Sequence, residues 1–292
     1  MSTYKPVVKW AGGKSKVISQ LSKYIPQAFN DYHEPFVGGG AMFFYLVPDL
    51  INRNAKVYLS DLVKDLIILY AAIKNNVEEL IRKSKEHKYE KEYYYKIRSL
   101  NPFGMPDIER ASRMLFLNKT CFNGLYRVNK KGQFNVSFGD YKDPVIVDEM
   151  ALRSASRAFQ IAEISHGDFE LVLKNAQKGD FIYLDPPYVP LSATSDFTQY
   201  TPGLFNAYDH KRLKDVFDNL KEKGCYVMLS NSDTDFVVDL YSGYNIKTIN
   251  ASRAINSNIK KRGAVKELLI LSYADSETRL HLVAQERKEV QV

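Results

Sequence analysis

Cysteine is scarce in this 292-residue chain, which holds only Cys121 and Cys225. So few thiols exclude a disulfide framework and a thiolate metal centre, and they predict a reducing compartment. Long apolar runs are missing as well. A membrane span takes roughly 18 uninterrupted apolar residues, and the best stretch here, residues 62–73, is broken by Lys64 and Asp65. No membrane partner is expected. The first residues lack the apolar core of a secretory signal, which predicts a cytoplasmic location. Internal repeats and low-complexity tracts are also absent, which argues against solenoids and extended disorder.

What is present is an ordinary globular composition of 45% apolar, 26% charged and 13% aromatic residues. The length suits one large domain or two modest ones. The net charge of +7 is unevenly distributed. Residues 74–142 hold 15 Lys and Arg against 8 Asp and Glu, leaving 26 of each sign in the rest of the chain. A solvated helical face produces such a surplus, and so does a module that binds a polyanion. Composition leaves both open.

Apolar spacing at Val17, Ile18, Leu21 and Ile25 predicts a helix over residues 14–25. Residues 32–37 read as a strand that enters the glycine turn Gly38-Gly39-Gly40, and an apolar helix follows from Ala41 to Leu46. A second strand over 56–61 ends in Asp61, ahead of another apolar helix. The basic segment contains a Tyr/Lys/Glu-rich helical region. It then shows β-type residues on both sides of Asn129-Lys130-Lys131-Gly132, a hairpin signal. After a helix over 149–159, strands are expected at 161–164, 180–184, 226–230 and 267–271, separated by helices over 209–223 and 234–241. Alternating strands and helices predict an α/β fold with a mostly parallel, doubly wound, Rossmann-like sheet. The tail from Asp275 is charged and expected to fray.

Three motifs carry chemistry. In the turn after Phe36, Gly38 and Gly40 let the backbone approach a ligand and open a helix whose amides favour negative charge. Asp61 follows Gly40 by 21 residues at the next strand end, the spacing of an acid that accepts ribose hydroxyls. In Trp10-Ala11-Gly12-Gly13-Lys14-Ser15, the Gly-Lys-Ser invites a phosphate-loop reading. Val8 stands where that motif needs glycine, so nucleotide hydrolysis is rejected. The segment still offers a flat ring and a cation, suited to an adenine and a carboxylate. Third, Asp185-Pro186-Pro187-Tyr188 follows directly on the apolar strand 181–184. Two prolines stop the strand and hold the Asp185 carboxylate at its carboxyl end, where α/β sheets bind ligands.

Together Asp185-Pro186-Pro187-Tyr188, the Phe36-Val37-Gly38-Gly39-Gly40 turn and Lys9-Trp10-Ala11-Gly12-Gly13-Lys14 resemble the Dam family of DNA adenine-N6 methyltransferases. The resemblance covers residues 5–272, with the motifs in family order. Asn123-Gly124-Leu125-Tyr126-Arg127-Val128-Asn129 with Phe134-Asn135-Val136 is similar to the family's recognition hairpin, and 190–194 is similar to the run after its catalytic motif. It implies a cofactor half over 1–70, an inserted DNA target-recognition domain over 71–157 and a catalytic half over 158–292. The implied donor is S-adenosylmethionine, bound by Trp10, Lys14, Phe36, Gly38, Gly40, Asp61, Asp168 and Asp185. A helix-start acid such as Asp168 also caps helices in general. The implied partner is duplex DNA of GATC type, placing a monomer without an obligatory protein partner at the nucleoid.

In that reading the target adenine is flipped into the pocket. Its N6 is a poor nucleophile, and Asp185 and a carbonyl of Pro186 or Pro187 accept its hydrogens while Tyr188 stacks on the base. No metal is required. Arg127 would read a guanine edge, and Phe122 would wedge into the stack unless it is an ordinary core aromatic. Lys9, Asn118, Asn123, Leu125, Asn129, Lys130 and Lys131 are further DNA-binding candidates. Asp140 stands where the family usually has arginine and Ser137 where it usually has proline, departures that bear on the target sequence and not on the chemistry. Two other readings remain: a methyltransferase of protein or RNA amines, which would not need the hairpin, and a non-catalytic DNA-binding module, which would not need the cofactor turn.

Overall fold

The structure is a computed structural model that describes residues 4–190, 205–252 and 264–275. Residues 191–194 of the run after the catalytic motif, and the tail beyond Asp275, lie outside the described residues. Along the chain come α1 (Ile18–Leu21), β1 (Tyr32–Glu34), α2 (Ala41–Arg53) and β2 (Val57–Asp61). A helical stretch follows: α3 (Lys64–Asn75), α4 (Val77–Ser84), α5 (Lys91–Ser99), α6 (Asp107–Thr120) and α7 (Glu149–Phe159). Then come β3 (Ala162–His166), α8 (Val172–Asn175), β4 (Phe181–Leu184), α9 (Ala207–Glu222) and β5 (Tyr226–Ser232). The last elements are α10 (Asp235–Leu240), β6 (Asn245–Ser252) and β7 (Ala264–Leu271).

The strands form a seven-stranded sheet in the order β3-β2-β1-β4-β5-β7-β6. β2 is parallel to β3, and β1 and β5 are parallel to β4. β7 runs antiparallel between β5 and β6. The expected mixed α/β architecture is present, and its central parallel strands β1 and β4 are buried as such sheets require, whereas the outer strand β3 leaves Glu163, Ser165 and His166 exposed. Every residue of β4 is buried.

Sequence and structure part at several places, among them the unexpected strand β6. The helix expected over 14–25 is instead a 3₁₀ turn at Lys14–Lys16, the single turn α1 and a second 3₁₀ turn at Ser22–Tyr24. Val17 sits at φ −110° and ψ 2°, outside helical geometry. The first strand stops at Glu34, because Pro35 has no N–H for the ladder. The next helix runs on through Pro48 to Arg53, since burial of Leu46, Val47 and Leu50 outweighs the lost backbone bond. The hairpin exists in reduced form. Asn129 N–H donates to Gln133 O at 2.9 Å and Asn135 N–H to Arg127 O at 3.0 Å, around one bridge between Val128 and Phe134.

Two compact units are discernible, one of residues 4–15 and 34–171, the other of 16–33, 172–190, 205–252 and 264–275. The first is built around α6, whose Met114, Leu115, Phe116 and Leu117 are buried. Beside it Phe43 and Phe159 stack at 5.4 Å. Two arginines of the basic segment are spent inside this unit. Arg110 donates to Asp65 at 2.5 Å, and Arg113 donates to the carbonyls of Ile97 and Arg98. They cannot serve a solvent-borne polyanion. In the second unit, Phe181–Leu184, Val227–Leu229 and Leu268–Leu271 form the core with Leu213, Phe217 and Leu220 of α9. A buried His33–Asp180 pair at 3.0 Å belongs to this unit.

Candidate active site

In the first unit the glycine turn follows from what presses on it. Gly38 has φ +44°, and a Cβ there would lie 2.7 Å from Trp10 Cδ1 and 2.8 Å from Nε1. Trp10 thus rests on bare backbone that no other residue offers. On the Trp10 indole, Tyr126 stacks at 5.6 Å and 22°. Gly40, at φ 69° and ψ 26°, is the left-handed residue that starts α2. Lys14 is buried and donates to Gly12 O at 2.6 Å.

Asp61 ends β2 with both carboxylate oxygens in use. Oδ2 accepts from Gly38 N–H at 2.9 Å and Oδ1 from Val63 N–H at 2.9 Å. Burial pushes its carboxyl up, against the pull of these backbone bonds. Leu62 N–H adds a third backbone bond, which leaves about one of the carboxylate's four acceptor sites. Asp61 therefore shapes the turn as well as being able to accept from a ligand. Below it, the fully buried Tyr70 donates its hydroxyl to Gly38 O at 2.5 Å.

The amide end of α2 is already served. Phe43 N–H donates to Glu34 Oε2 at 3.1 Å, and Glu34 is 2% exposed. The negative charge that a helix N-terminus favours comes from the protein, so the turn does not call for a ligand phosphate. Phe36 stacks on Phe169 at 5.4 Å and 23°. Asp168, half-buried, accepts from Glu170 N–H at 3.1 Å and opens the short turn Phe169–Leu171, which is a capping role.

In the second unit Asp185-Pro186-Pro187-Tyr188 leaves the carboxyl end of β4 as expected, with Asp185 half-buried and Pro187 exposed. The motif is tied down from two strands. Tyr188 donates its hydroxyl to Glu267 Oε2 at 2.9 Å, and burial drives its phenol well above the ordinary range. Val189 N–H donates to Asn231 Oδ1 at 3.3 Å, while Ser232 Oγ donates to Val189 O at 2.7 Å. Asn231 is fully buried, and among the described residues its Nδ2 finds no acceptor. An unmade bond of that kind costs about 1–3 kcal/mol.

The hairpin residues divide by what their side chains do. Phe122 is 51% exposed, so it is not a core aromatic. Asn123 beside it is exposed at φ +54°. Leu125 packs against the cluster of Tyr94, Phe116 and Phe134. Arg127 is exposed and steered by Asn135: Nε donates to Oδ1 at 2.7 Å and Nη2 to the backbone O at 3.1 Å. That leaves the Nη1–Nη2 edge of the fork to face outward. Lys130 and Lys131 are exposed on the turn.

Two asparagines expected at the DNA are occupied otherwise. Asn118, 1% exposed, accepts from Lys9 N–H at 2.9 Å and donates to Lys9 O at 2.7 Å. Asn129 Oδ1 accepts from Lys131 and Gln133 N–H, making the turn. Asn118 thus holds Lys9, whose ammonium lies 4.2 Å from the Tyr141 ring centroid.

Sequence reasoning placed Tyr126 and Asn135 in the hairpin without their partners Trp10 and Arg127, and it missed Glu34, Asn231 and Glu267 as contributors. Glu34 had a signal, an acid just before the glycine turn and its helix. Asn231 and Glu267 are visible only as partners that the fold brings to motif residues.

Comparison with known proteins places the chain. The family profile of the D12 class N6 adenine-specific DNA methyltransferases matches residues 10–255. Type II methyltransferase M.MjaIII of Methanocaldococcus jannaschii is 42% identical over 92% of this chain and 99% of its own length. Type II methyltransferase M1.LlaDCHI of Lactococcus lactis subsp. cremoris is also 42% identical, over 93% of this chain and 96% of its own. A DNA adenine methylase of Haemophilus influenzae is 36% identical over 92% and 93%. Among the described residues no helix is long and apolar enough to cross a membrane. With Asp185-Pro186-Pro187-Tyr188 at the end of β4 and the glycine turn beneath Trp10, the chain belongs to the D12 class of N6 adenine-specific DNA methyltransferases.

Proposed function

We propose that this protein methylates N6 of an adenine flipped out of a specific duplex DNA sequence of GATC type, with S-adenosylmethionine as donor. The observation that carries the reading is Asp185-Pro186-Pro187-Tyr188 at the carboxyl end of β4, tied to β5 and β7. The glycine turn fits the donor. It is bare under an indole, and one amide of the following helix's first turn is already taken by Glu34, which suits a nucleoside that bears no phosphate. Trp10, Lys14, Phe36, Gly38, Gly40, Asp61, Asp168 and Asp185 would hold it. Bound there, it supplies an electrophilic methyl on a sulfonium.

The chain's own residues do the rest. The Asp185 carboxylate and a backbone carbonyl of Pro186 or Pro187 each accept one N6 hydrogen, which aims the nitrogen lone pair. A carboxylate is too weak a base to take a proton from the neutral amine. Asp185 therefore orients N6 and stabilises the positive charge that grows on it, and the proton leaves after transfer. Tyr188 stacks on the base.

Residues 71–157 act as the recognition domain. Lys130 and Lys131 neutralise phosphates, Arg127 presents its outer edge to a guanine, and Phe122 wedges into the stack. Asn118 contributes indirectly, by holding Lys9. Identity to two type II methyltransferases supports a restriction-modification setting.

The test is transfer of label from radiolabelled S-adenosylmethionine to separate pools of GATC duplex, scrambled duplex, RNA and protein. Label confined to the GATC duplex supports the reading. Label in RNA or protein alone would refute it.

A further inference from the structure

The antiparallel β7 does something that a parallel strand in its place would not. Because it runs against β5, its early residues lie at the carboxyl end of β5, where Ser232 pairs with Glu267. The sheet thus brings an acid from the first half of β7 level with the last residue of β5. From that level, two consecutive residues of the catalytic segment are gripped. Glu267 takes the Tyr188 hydroxyl at 2.9 Å, and Asn231 with Ser232 takes both backbone groups of Val189.

We infer that Glu267 is a positioning residue for methyl transfer: by accepting the Tyr188 hydroxyl it fixes the ring on which the target base stacks, while Asn231 and Ser232 fix the backbone behind it. The inference rests on the stacking role given to Tyr188 above. Prolines 186 and 187 limit the backbone before the ring, but they leave the Tyr188 side-chain torsions unrestrained. A hydroxyl bonded to a residue of the sheet removes that freedom at the far end of the ring. Glu267 is half-buried, and its Oε2 engages Tyr188 at the hydroxyl and not at the ring face on which a base would stack. Placement of the base is a transition-state requirement and not a source of ground-state affinity. Losing the grip should therefore lower kcat and spare binding.

The test is a double-mutant cycle on the full chain with Tyr188→Phe and Glu267→Ala, with Glu267→Gln as the conservative variant. Each single variant is expected to lower kcat about tenfold, the loss of one oriented hydrogen bond. KM for the duplex and for S-adenosylmethionine should move less than twofold. The double variant should be no worse than either single one. Glu267→Gln, which keeps an acceptor oxygen, should restore most of kcat. Tyr188→Phe removes only an oxygen, so if Glu267→Ala does not fold, a tenfold kcat loss in Tyr188→Phe beside near-full kcat in Glu267→Gln still supports the grip, and full kcat in Tyr188→Phe still overturns it.

Independent, multiplying losses would overturn the inference. So would a loss carried by KM, or a Glu267→Gln variant as slow as Glu267→Ala with Tyr188→Phe at full rate. Asp185→Ala run alongside separates the two levels. Normal turnover in that variant refutes the assignment of the motif itself, whereas an inactive Asp185→Ala with an additive cycle refutes only the role of Glu267.

Discussion

At the scale of single residues, the two acids that end β2 and β4 have different tasks, and substitution should separate them. Asp61 gives one oxygen to Gly38 and the other to Val63. Asp61→Ala should weaken S-adenosylmethionine binding by about 1–3 kcal/mol, because ribose hydroxyls lose a charged acceptor and the turn loses its tie. Titration calorimetry would expose the error if the affinity stayed unchanged. On the hairpin, Arg127 is steered by Asn135 whereas Lys130 and Lys131 sit on an exposed turn. Arg127→Ala should relax discrimination at one guanine at a cost of about 1–3 kcal/mol. Neutralising either lysine should weaken all duplexes alike and make the salt dependence shallower by roughly one counterion. Binding titrations at several salt concentrations would show the assignment reversed if Arg127→Ala weakened cognate and scrambled duplexes equally.

At the scale of elements, the glycine turn is the most exacting piece. Gly38→Ala would put a methyl into the Trp10 indole on backbone at φ +44°. A left-handed alanine alone costs about 1 kcal/mol, and the clash adds to it. The variant should melt several degrees lower and bind S-adenosylmethionine poorly. A melting temperature and affinity equal to the parent's would contradict the packing described.

This turn was legible because three glycines between a strand and a helix have few other uses. β4, β5 and β7 were legible as apolar runs, since strands buried on both faces need little else. β6 was not. Its apolar residues, Ile246, Ile249 and Ala251, do not alternate, and it ends the strand order. α1 misled because helical spacing was real while the backbone broke at Val17. Asn118 and Asn129 looked like base readers, as exposed asparagines in a basic segment would. Burial and turn bonds, which decide their use, are properties of the folded chain.

At the scale of the whole molecule, pH should act on stability through two histidines. His87 lies between Tyr93 Oη and Ser112 Oγ, and burial lowers its pKa to about 4. His210, between Phe205 and Phe236, is likewise lowered by burial to about 4. Both are neutral when folded, while in the unfolded chain they take protons near pH 6.5. Their contribution is complete above about pH 6.5 and is lost progressively as pH falls towards 4. Denaturant melts across this range should show that fall, reduced in a His210→Gln variant. A slope untouched by that substitution would remove His210 from the account.

The role proposed for Asp185 is to present adenine N6 for methylation within one duplex sequence. The direct measurement is a single-base map of N6-methyladenine on a duplex library treated with the wild-type protein or with Asp185→Ala. Methylation at one adenine of GATC is expected for the wild type and a loss well beyond 10²-fold for the variant, with duplex binding intact. Methylation by Asp185→Ala at a near-normal rate, or wild-type methylation scattered over adenines of every context, would contradict it.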